Sequence, residues 1–145
     1  MLMGEFHHNI DQKLRLIIPS KFREELGERI IITRGLEGCL FIYSEDEWLK
    51  IVTKLKSLPF TKKDARNFNR IFISGATICE FDKQGRIKLS NPLINYASIL
   101  KECVVIGVTD RLEIWGAEKW NSFLEINEDS YADIADNLFS TNFEE

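Results

Sequence analysis

The sequence predicts an α+β fold, mainly β, built as a tandem pair of similar units related by pseudo-two-fold symmetry, with flanking helices. Three observations carry this. The chain has 145 residues, 44% hydrophobic and 29% charged, which is the size and composition of one globular domain or two very small ones. The chain repeats itself at an offset of 71 residues. Each copy reads as several short strands and two helices, too little to make a core alone but enough when two copies pack together.

The repeat is clearest where Asp11-Gln12-Lys13-Leu14-Arg15-Leu16-Ile17-Ile18 aligns with Asp82-Lys83-Gln84-Gly85-Arg86-Ile87-Lys88-Leu89. Both have Asp, three residues, Arg, then an alternating apolar strand. Downstream, Leu40-Phe41-Ile42-Tyr43 matches Leu112-Glu113-Ile114-Trp115, and Trp48 and Trp120 follow at equal distance.

In the first copy a strand over 5–10 leads into the charged loop, and a second strand covers 16–18. A short helix over 20–26 is stopped by Gly27. Strands over 29–33 and 39–43 form a hairpin around Gly35 and Gly38. Ser44-Glu45-Asp46-Glu47 is a capping box, and Trp48, Ile51, Val52 and Leu55 follow at helical spacing. Between the copies, Pro59 breaks the chain. Thr61 is then placed to cap a helix, with Asp64 at its third position, an apolar stripe of Ala65, Phe68, Ile71 and Phe72, and Gly75 at its end. The second copy has strands over 77–81 and 87–89 and a helix over 91–100 with Pro92 in its first turn. It continues with strands over 104–108 and 112–115 around Asp110-Arg111, and a helix over 117–126. The organisation is a first unit at 5–47, a helical linker at 48–75, a second unit at 76–119, and a C-terminal helix with an acidic tail at 120–145.

No apolar run approaches the roughly 20 residues a membrane helix needs, and the start of the chain does not read as a secretory signal. Three widely spaced cysteines cannot make a paired framework, which points to a reducing cytoplasm. Net charge is −4, which at face value argues against nucleic acid. The charge is unevenly placed. Residues 117–145 carry −7, residues 1–116 carry +3, and the stretch 50–70 alone carries +6. An acidic tail on a basic body recurs in proteins that meet polyanions.

Catalytic and metal motifs are missing from the sequence. His7 and His8 are adjacent on a strand and so point to opposite faces. There is no Cys-x-x-Cys, no Gly-x-Ser-x-Gly and no phosphate-cradling glycine loop. The expectation is a non-enzyme with no cofactor, no metal, no small-molecule substrate and no membrane partner. The Asp-x-x-x-Arg loops are the sharpest feature. Asp11 and Asp82 can shape their turns by accepting backbone N–H groups, and they can hold the Arg forks. Lys13 and Arg15, then Lys83 and Arg86, are placed to meet phosphate or guanine. One such loop would be a solvated hairpin with an ion pair worth about 0–1 kcal/mol. Two in equivalent places point to function.

The stretch from Gly4-Glu5-Phe6-His7-His8 through Lys21-Phe22-Arg23 resembles the opening of the MraZ family. So do 61–70, followed by Ser74-Gly75-Ala76, and Asp82-Lys83-Gln84-Gly85-Arg86-Ile87. The resemblance covers the chain to about Glu125. It implies two SpoVT-AbrB-type swapped-hairpin units, double-psi-like, assembled into a homo-oligomeric ring. It implies a nucleoid-associated transcriptional regulator that binds direct repeats in double-stranded promoter DNA of the bacterial division and cell-wall gene cluster, here read as a repressor. It assigns DNA contact to Lys13, Arg15, Lys83 and Arg86, with Asp11, Asp82 and Gly85 shaping the loops. The alternative is an AbrB-like, antitoxin-type interaction module without promoter binding of its own. One departure stands out: the family's first loop has Gly before the Arg, and here Leu14 stands there. The expectation is that loop one takes a different turn and presents Arg15 less accurately. A second expectation is that removing everything after Ile126 leaves DNA binding at low salt at least as strong.

Overall fold

The computed structural model describes residues 1–143. The acids Glu144 and Glu145, counted above in the tail, lie outside the described residues. The first copy contains β1 (Leu2–Asn9), β2 (Arg15–Ile17), α1 (Ser20–Leu26), β3 (Arg29–Arg34), β4 (Leu40–Ser44) and α2 (Glu45–Lys56). The linker helix is α3 (Lys63–Ser74). The second copy contains β5 (Thr77–Glu80), β6 (Arg86–Lys88), α4 (Asn91–Ala97), β7 (Glu102–Thr109), β8 (Leu112–Gly116) and α5 (Ala117–Asn127), and α6 (Tyr131–Phe143) follows. The fold is α+β, and the strands form its framework.

Six strands make one antiparallel sheet in the order β1-β7-β8-β4-β3-β5, and β2 pairs with β6 in a ribbon of its own. The first strand of each copy is exchanged across the middle of the chain. β1 lies against β7 of the second copy, and β5 lies against β3 of the first. The pseudo-two-fold can be read from the register. Leu16 faces Ile87, its own repeat equivalent, and Leu40 and Ile42 face Ile114 and Leu112 symmetrically about Phe41 opposite Glu113.

Alternation along the central strands divides the apolar residues between two cores. Leu40, Ile42, Leu112 and Ile114 are fully buried against Leu16, Ile18, Phe22, Ile87, Leu89 and Leu93, so the first core is shared by both copies. On the opposite face, Phe41, Tyr43 and Trp115 pack with Phe72 and Trp120, which α3 and α5 supply, while α2 adds Trp48 and Ile51. The two repeated tryptophans thus sit on one side of the sheet.

Most element ends agree with the sequence within one or two residues. Ser44 caps α2, its hydroxyl accepting from the N–H of Glu47 at 3.2 Å, while the Glu47 carboxylate turns to Lys50 at 3.0 Å. Three differences have physical causes. Thr61 is not the cap of the linker helix. The N–H of Lys62 closes a turn onto the carbonyl of Pro59, so the helix begins one residue later, with Lys62 at the cap and no side-chain cap bond. The helix expected over 91–100 ends at Ala97, because Ser98 turns left-handed at φ 53° and the N–H of Ile99 returns to the carbonyl of Ile94. Finally, the acidic segment beyond Ile126 forms a second helix, α6, where the sequence suggested only a tail.

Candidate nucleic-acid interface

The β2–β6 ribbon sets Arg15 opposite Lys88, Leu16 opposite Ile87 and Ile17 opposite Arg86. Leu16 and Ile87 are buried in the first core, so alternation sends Arg15, Ile17, Arg86 and Lys88 to the outer face. The two arginines lie at opposite ends of the ribbon, separated by two residues of strand, or roughly 7 Å. Lys13 and Lys83 are exposed in the loops leading into the two strands.

Each loop is built by its aspartate. In the first, Asp11 Oδ1 accepts the backbone N–H groups of Lys13 (2.9 Å) and Arg15 (2.8 Å), and Oδ2 accepts Arg15 Nε at 2.7 Å. In the second, Asp82 Oδ1 accepts from the N–H groups of Gln84 and Arg86, both at 2.9 Å, and Oδ2 accepts Arg86 Nε at 2.8 Å. The main-chain bonds also agree: Leu14 N–H to Asp11 O and Gly85 N–H to Asp82 O, both 3.0 Å.

The expectation that Leu14 gives loop one a different turn is therefore overturned. Leu14 adopts φ 63° and Gly85 φ 76°, so both loops take the same left-handed position. The aspartate side chain accepts three donors in each loop, which fixes the backbone whichever residue precedes the Arg. The leucine stays strained, by about 1–2 kcal/mol. Replacing Leu14 by Gly relieves that strain but adds unfolded-state freedom of about 0.5–1 kcal/mol. The expected result is a thermal midpoint close to that of the unaltered chain and unchanged promoter affinity. Tighter binding would restore the idea of a misaligned Arg15.

Both loop carboxyls are held below their usual range. For Asp11 the main cause is the backbone N–H of Arg15, helped by the Arg15 guanidinium. For Asp82 it is the backbone N–H of Arg86, helped by its guanidinium. A depressed folded pKa contributes stability that is present above the unfolded value, near 4, and is lost as pH falls through the still lower folded value. The loops should therefore keep their shape from pH 8 down to pH 5. NMR titration of the Asp11 and Asp82 carboxyl carbons is the check, and midpoints at or above the ordinary value would contradict it.

The loops are not identical at their tips. Arg86 Nη2 donates to Gln84 Oε1 at 3.0 Å, and its Nη1 lies 3.8 Å from Asp11 Oδ2, so three groups surround this guanidinium. Loop one has Lys13 where loop two has Gln84, and a lysine cannot accept. Among the described residues Arg15 is engaged through Nε only, which leaves its Nη end open. Arg23 also stands beside loop two alone. Its Nε donates to the carbonyl of Ile18 at 2.9 Å, and a Cβ on Gly85 would come within 2.6 Å of its Cζ. Its repeat equivalent is the apolar Ile94, which packs against the first core. Sequence reasoning did not single out Lys88 or Arg23. Alternation after Arg86 was a readable signal for Lys88. Nothing in the sequence marked Arg23, which approaches loop two from the other copy's helix.

The outer face of the ribbon thus carries Arg15, Arg86 and Lys88, with Lys13 and Lys83 exposed in the loops that lead into it, and both aspartates are already engaged. Elsewhere, His7 Nε2 meets Glu5 at 2.7 Å, and among the described residues no three of His, Cys, Asp and Glu converge as metal ligands. A cavity of about 580 Å³ beside α1 is lined by Glu24, Glu28, Glu80 and Arg23. Among the described residues these three carboxylates make no side-chain hydrogen bond or ion pair. No helix among the described residues is long and apolar enough to cross a membrane.

Comparison with known proteins finds the same two-copy organisation. The family model described as "MraZ protein, putative antitoxin-like" matches twice, over residues 1–71 and 72–142, in step with the structural repeat. The Transcriptional regulator MraZ of Lactobacillus gasseri is 56% identical over 138 residues, covering 95% of this chain and 96% of that protein. The protein of the same name from Lactobacillus johnsonii is likewise 56% identical, over 95% and 96% of the two chains. With the family matched over both halves and more than half of all residues shared with these relatives, the chain belongs to the MraZ family.

Proposed function

We propose that this protein is a sequence-specific DNA-binding transcriptional regulator. Copies assembled as a ring bind direct repeats in the promoter of its own division and cell-wall cluster and repress it. The observation that carries the DNA-binding part is the β2–β6 ribbon, which puts Arg15, Arg86 and Lys88 on its outer face, with Lys13 and Lys83 exposed in the two Asp–Arg loops leading into it. A two-stranded ribbon fits the major groove, and an Arg fork pairs with guanine O6 and N7. Gln84 and two aspartates surround Arg86, whereas Arg15 keeps its Nη end open. Arg15 is therefore the better base reader, and Arg86 positions the loop and neutralises phosphate. Lys13, Lys83 and Lys88 add phosphate contacts. One chain makes few contacts, so several loop sets on several repeats gain strength through effective concentration.

The test is a gel shift on the chain's own upstream promoter across a salt series. Affinity should fall steeply with salt, with a log–log slope of about 0.9 for each phosphate neutralised. A promoter fragment with scrambled repeats should bind far more weakly. Equal binding to both fragments would remove sequence specificity. No binding to either, with a stoichiometric protein partner recovered instead, would favour the interaction-module alternative.

A further inference from the structure

The two Asp–Arg loops share one backbone, yet their supports differ. In each, the carbonyl of the residue before the Arg is bonded to the other copy. The N–H of Ile18 donates to the Gly85 carbonyl at 3.0 Å, and the N–H of Leu89, its repeat equivalent, donates to the Leu14 carbonyl at 2.9 Å. Loop two has one support more. Arg23 Nε donates to the carbonyl of Ile18 at 2.9 Å, so Ile18 is tied to Gly85 through its N–H and to Arg23 through its C=O. Ile94, which holds the position of Arg23 in the second copy, has no side-chain donor to do the same.

Arg23 is held firmly enough to act as a support. It follows Phe22 on α1, and Phe22 and Leu26 are both buried in the first core. Its guanidinium forms no ion pair among the described residues, although Glu24, Glu28 and Glu80 line the cavity it borders. It occupies the space where a side chain on Gly85 would begin. A Cβ there would lie 2.6 Å from Cζ, 2.7 Å from Nε and 2.9 Å from Nη2. Leu14 shows that a side chain can stand in the same left-handed turn, at φ 63° against 76°. The turn alone therefore does not demand glycine in loop two. The neighbouring guanidinium does, and Gly85 is accordingly buried where Leu14 is half-buried.

We propose that Arg23 is a positioning residue for loop two: it reaches from the first copy to hold Ile18 and Gly85, and so fixes where Arg86 stands against DNA. Gly85 immediately precedes Arg86, whose backbone N–H and Nε are both bonded to Asp82. A change of backbone angle at Gly85 would swing Arg86 and break those bonds. Asp82 thus holds the loop from within, and Arg23 holds it from across the exchange of strands. A loop that adopts its binding geometry for part of the time binds in proportion to that fraction. Arg23 raises the fraction without touching DNA. The inference rests on the proposed DNA binding by the loops and names the residue that sets loop two for it. It also gives the difference between Leu14 and Gly85 a cause: the second position is restricted by an arginine that the first copy supplies.

The test uses the full chain. Amide hydrogen exchange, read by mass spectrometry, reports on each loop, and fluorescence anisotropy on a duplex with one promoter repeat reports on binding. Arg23→Ala should speed exchange at Ile18 and at 84–86 by about tenfold or more, and leave Leu89 and 13–15 unchanged. Affinity for the single repeat should fall by about threefold to tenfold. Arg23→Gln places an amide N–H donor where Nε stood and removes the charge, so it should recover most of both losses. Gly85→Ala should also weaken binding, by forcing the guanidinium aside. Added to Arg23→Ala it should cost nothing further, because the clash has gone. Equal acceleration at Ile18 and Leu89 marks general loosening and overturns the proposal. So do unchanged exchange, a glutamine variant as weak as the alanine one, and additive losses in the double variant. If the unaltered chain binds no repeat, the DNA reading fails. The exchange pattern of the same four variants then still decides whether Arg23 holds loop two.

Discussion

Replacing Arg15 and Arg86 together by alanine should abolish specific promoter binding while leaving the fold intact. Each arginine is the first residue of its strand, half-buried but outside both apolar cores, so removing it opens no cavity in either. The loop backbone is kept by the N–H groups that each aspartate still accepts. What is lost is the guanidinium fork. Losing the bidentate pair of Arg15 with a base costs about 1–3 kcal/mol of discrimination, and losing the phosphate contact of Arg86 weakens every sequence besides, so specific binding by a single subunit should fall on the order of 10-fold or more. Repetition around an assembly multiplies it. The single variants should separate. Arg15→Lys should relax the preference among promoter sequences, and Arg86→Lys should weaken all sequences alike. Fluorescence anisotropy on native and scrambled repeats, with circular dichroism as the control, makes the measurement. A double variant that binds the promoter like the unaltered chain would refute the assignment of the loops.

Glu113→Ala should be the costliest single change to a charged residue. Glu113 lies on β8 directly opposite Phe41, on the pseudo-two-fold, and is only 8% exposed. Its Oε2 accepts Arg111 Nη2 at 2.8 Å and Nε at 3.1 Å, and its Oε1 accepts the buried Trp115 Nε1 at 3.0 Å. Arg111 in turn lies over the Phe41 ring, 4.5 Å from its centroid. Alanine leaves a buried indole N–H without an acceptor and a guanidinium without its carboxylate. Breaking a buried pair costs about 3–5 kcal/mol, and the part-exposure of Arg111 places this case near 3. At this chain length each kcal/mol moves the melting midpoint by about 2–4 °C, so a fall of about 6–12 °C is expected by calorimetry. Gln at the same position keeps an acceptor for Trp115 and should lose about half as much. A midpoint for the alanine variant within 2 °C of the original would mean that the pair contributes nothing.

The elements were legible because local chemistry decides them. Gly27 ends α1, Ser44 caps α2, and alternation marks the central strands. The repeat at 71 residues also made the equivalence of the two loops legible before any geometry. The turn at Leu14 was not, because backbone preference there argues for one answer and three hydrogen bonds onto Asp11 enforce another. The sequence exposes the preference and hides the bonds. Glu113 was opaque for a related reason. An acid inside an alternating strand reads as a solvent-facing position, but Glu113 shares its face with Trp115, where the second core sits, and Arg111 over Phe41 of the other copy helps to cover it. Arg23 shows the same limit, since its nearness to Gly85 follows from strand exchange rather than from spacing.

That exchange has a consequence for how the molecule can diversify. A symmetric dimer of identical hairpins must change both recognition loops whenever it changes one. Here the two hairpins are written separately along one polypeptide yet still complete each other's sheet. One loop can drift while its partner is conserved, and the shared sheet keeps both in alignment. Lys13 against Gln84, and Leu14 against Gly85, are where the two loops of this chain already differ. On the proposed function, such a molecule meets DNA with two unlike loops, as a heterodimer would, while being encoded as one chain.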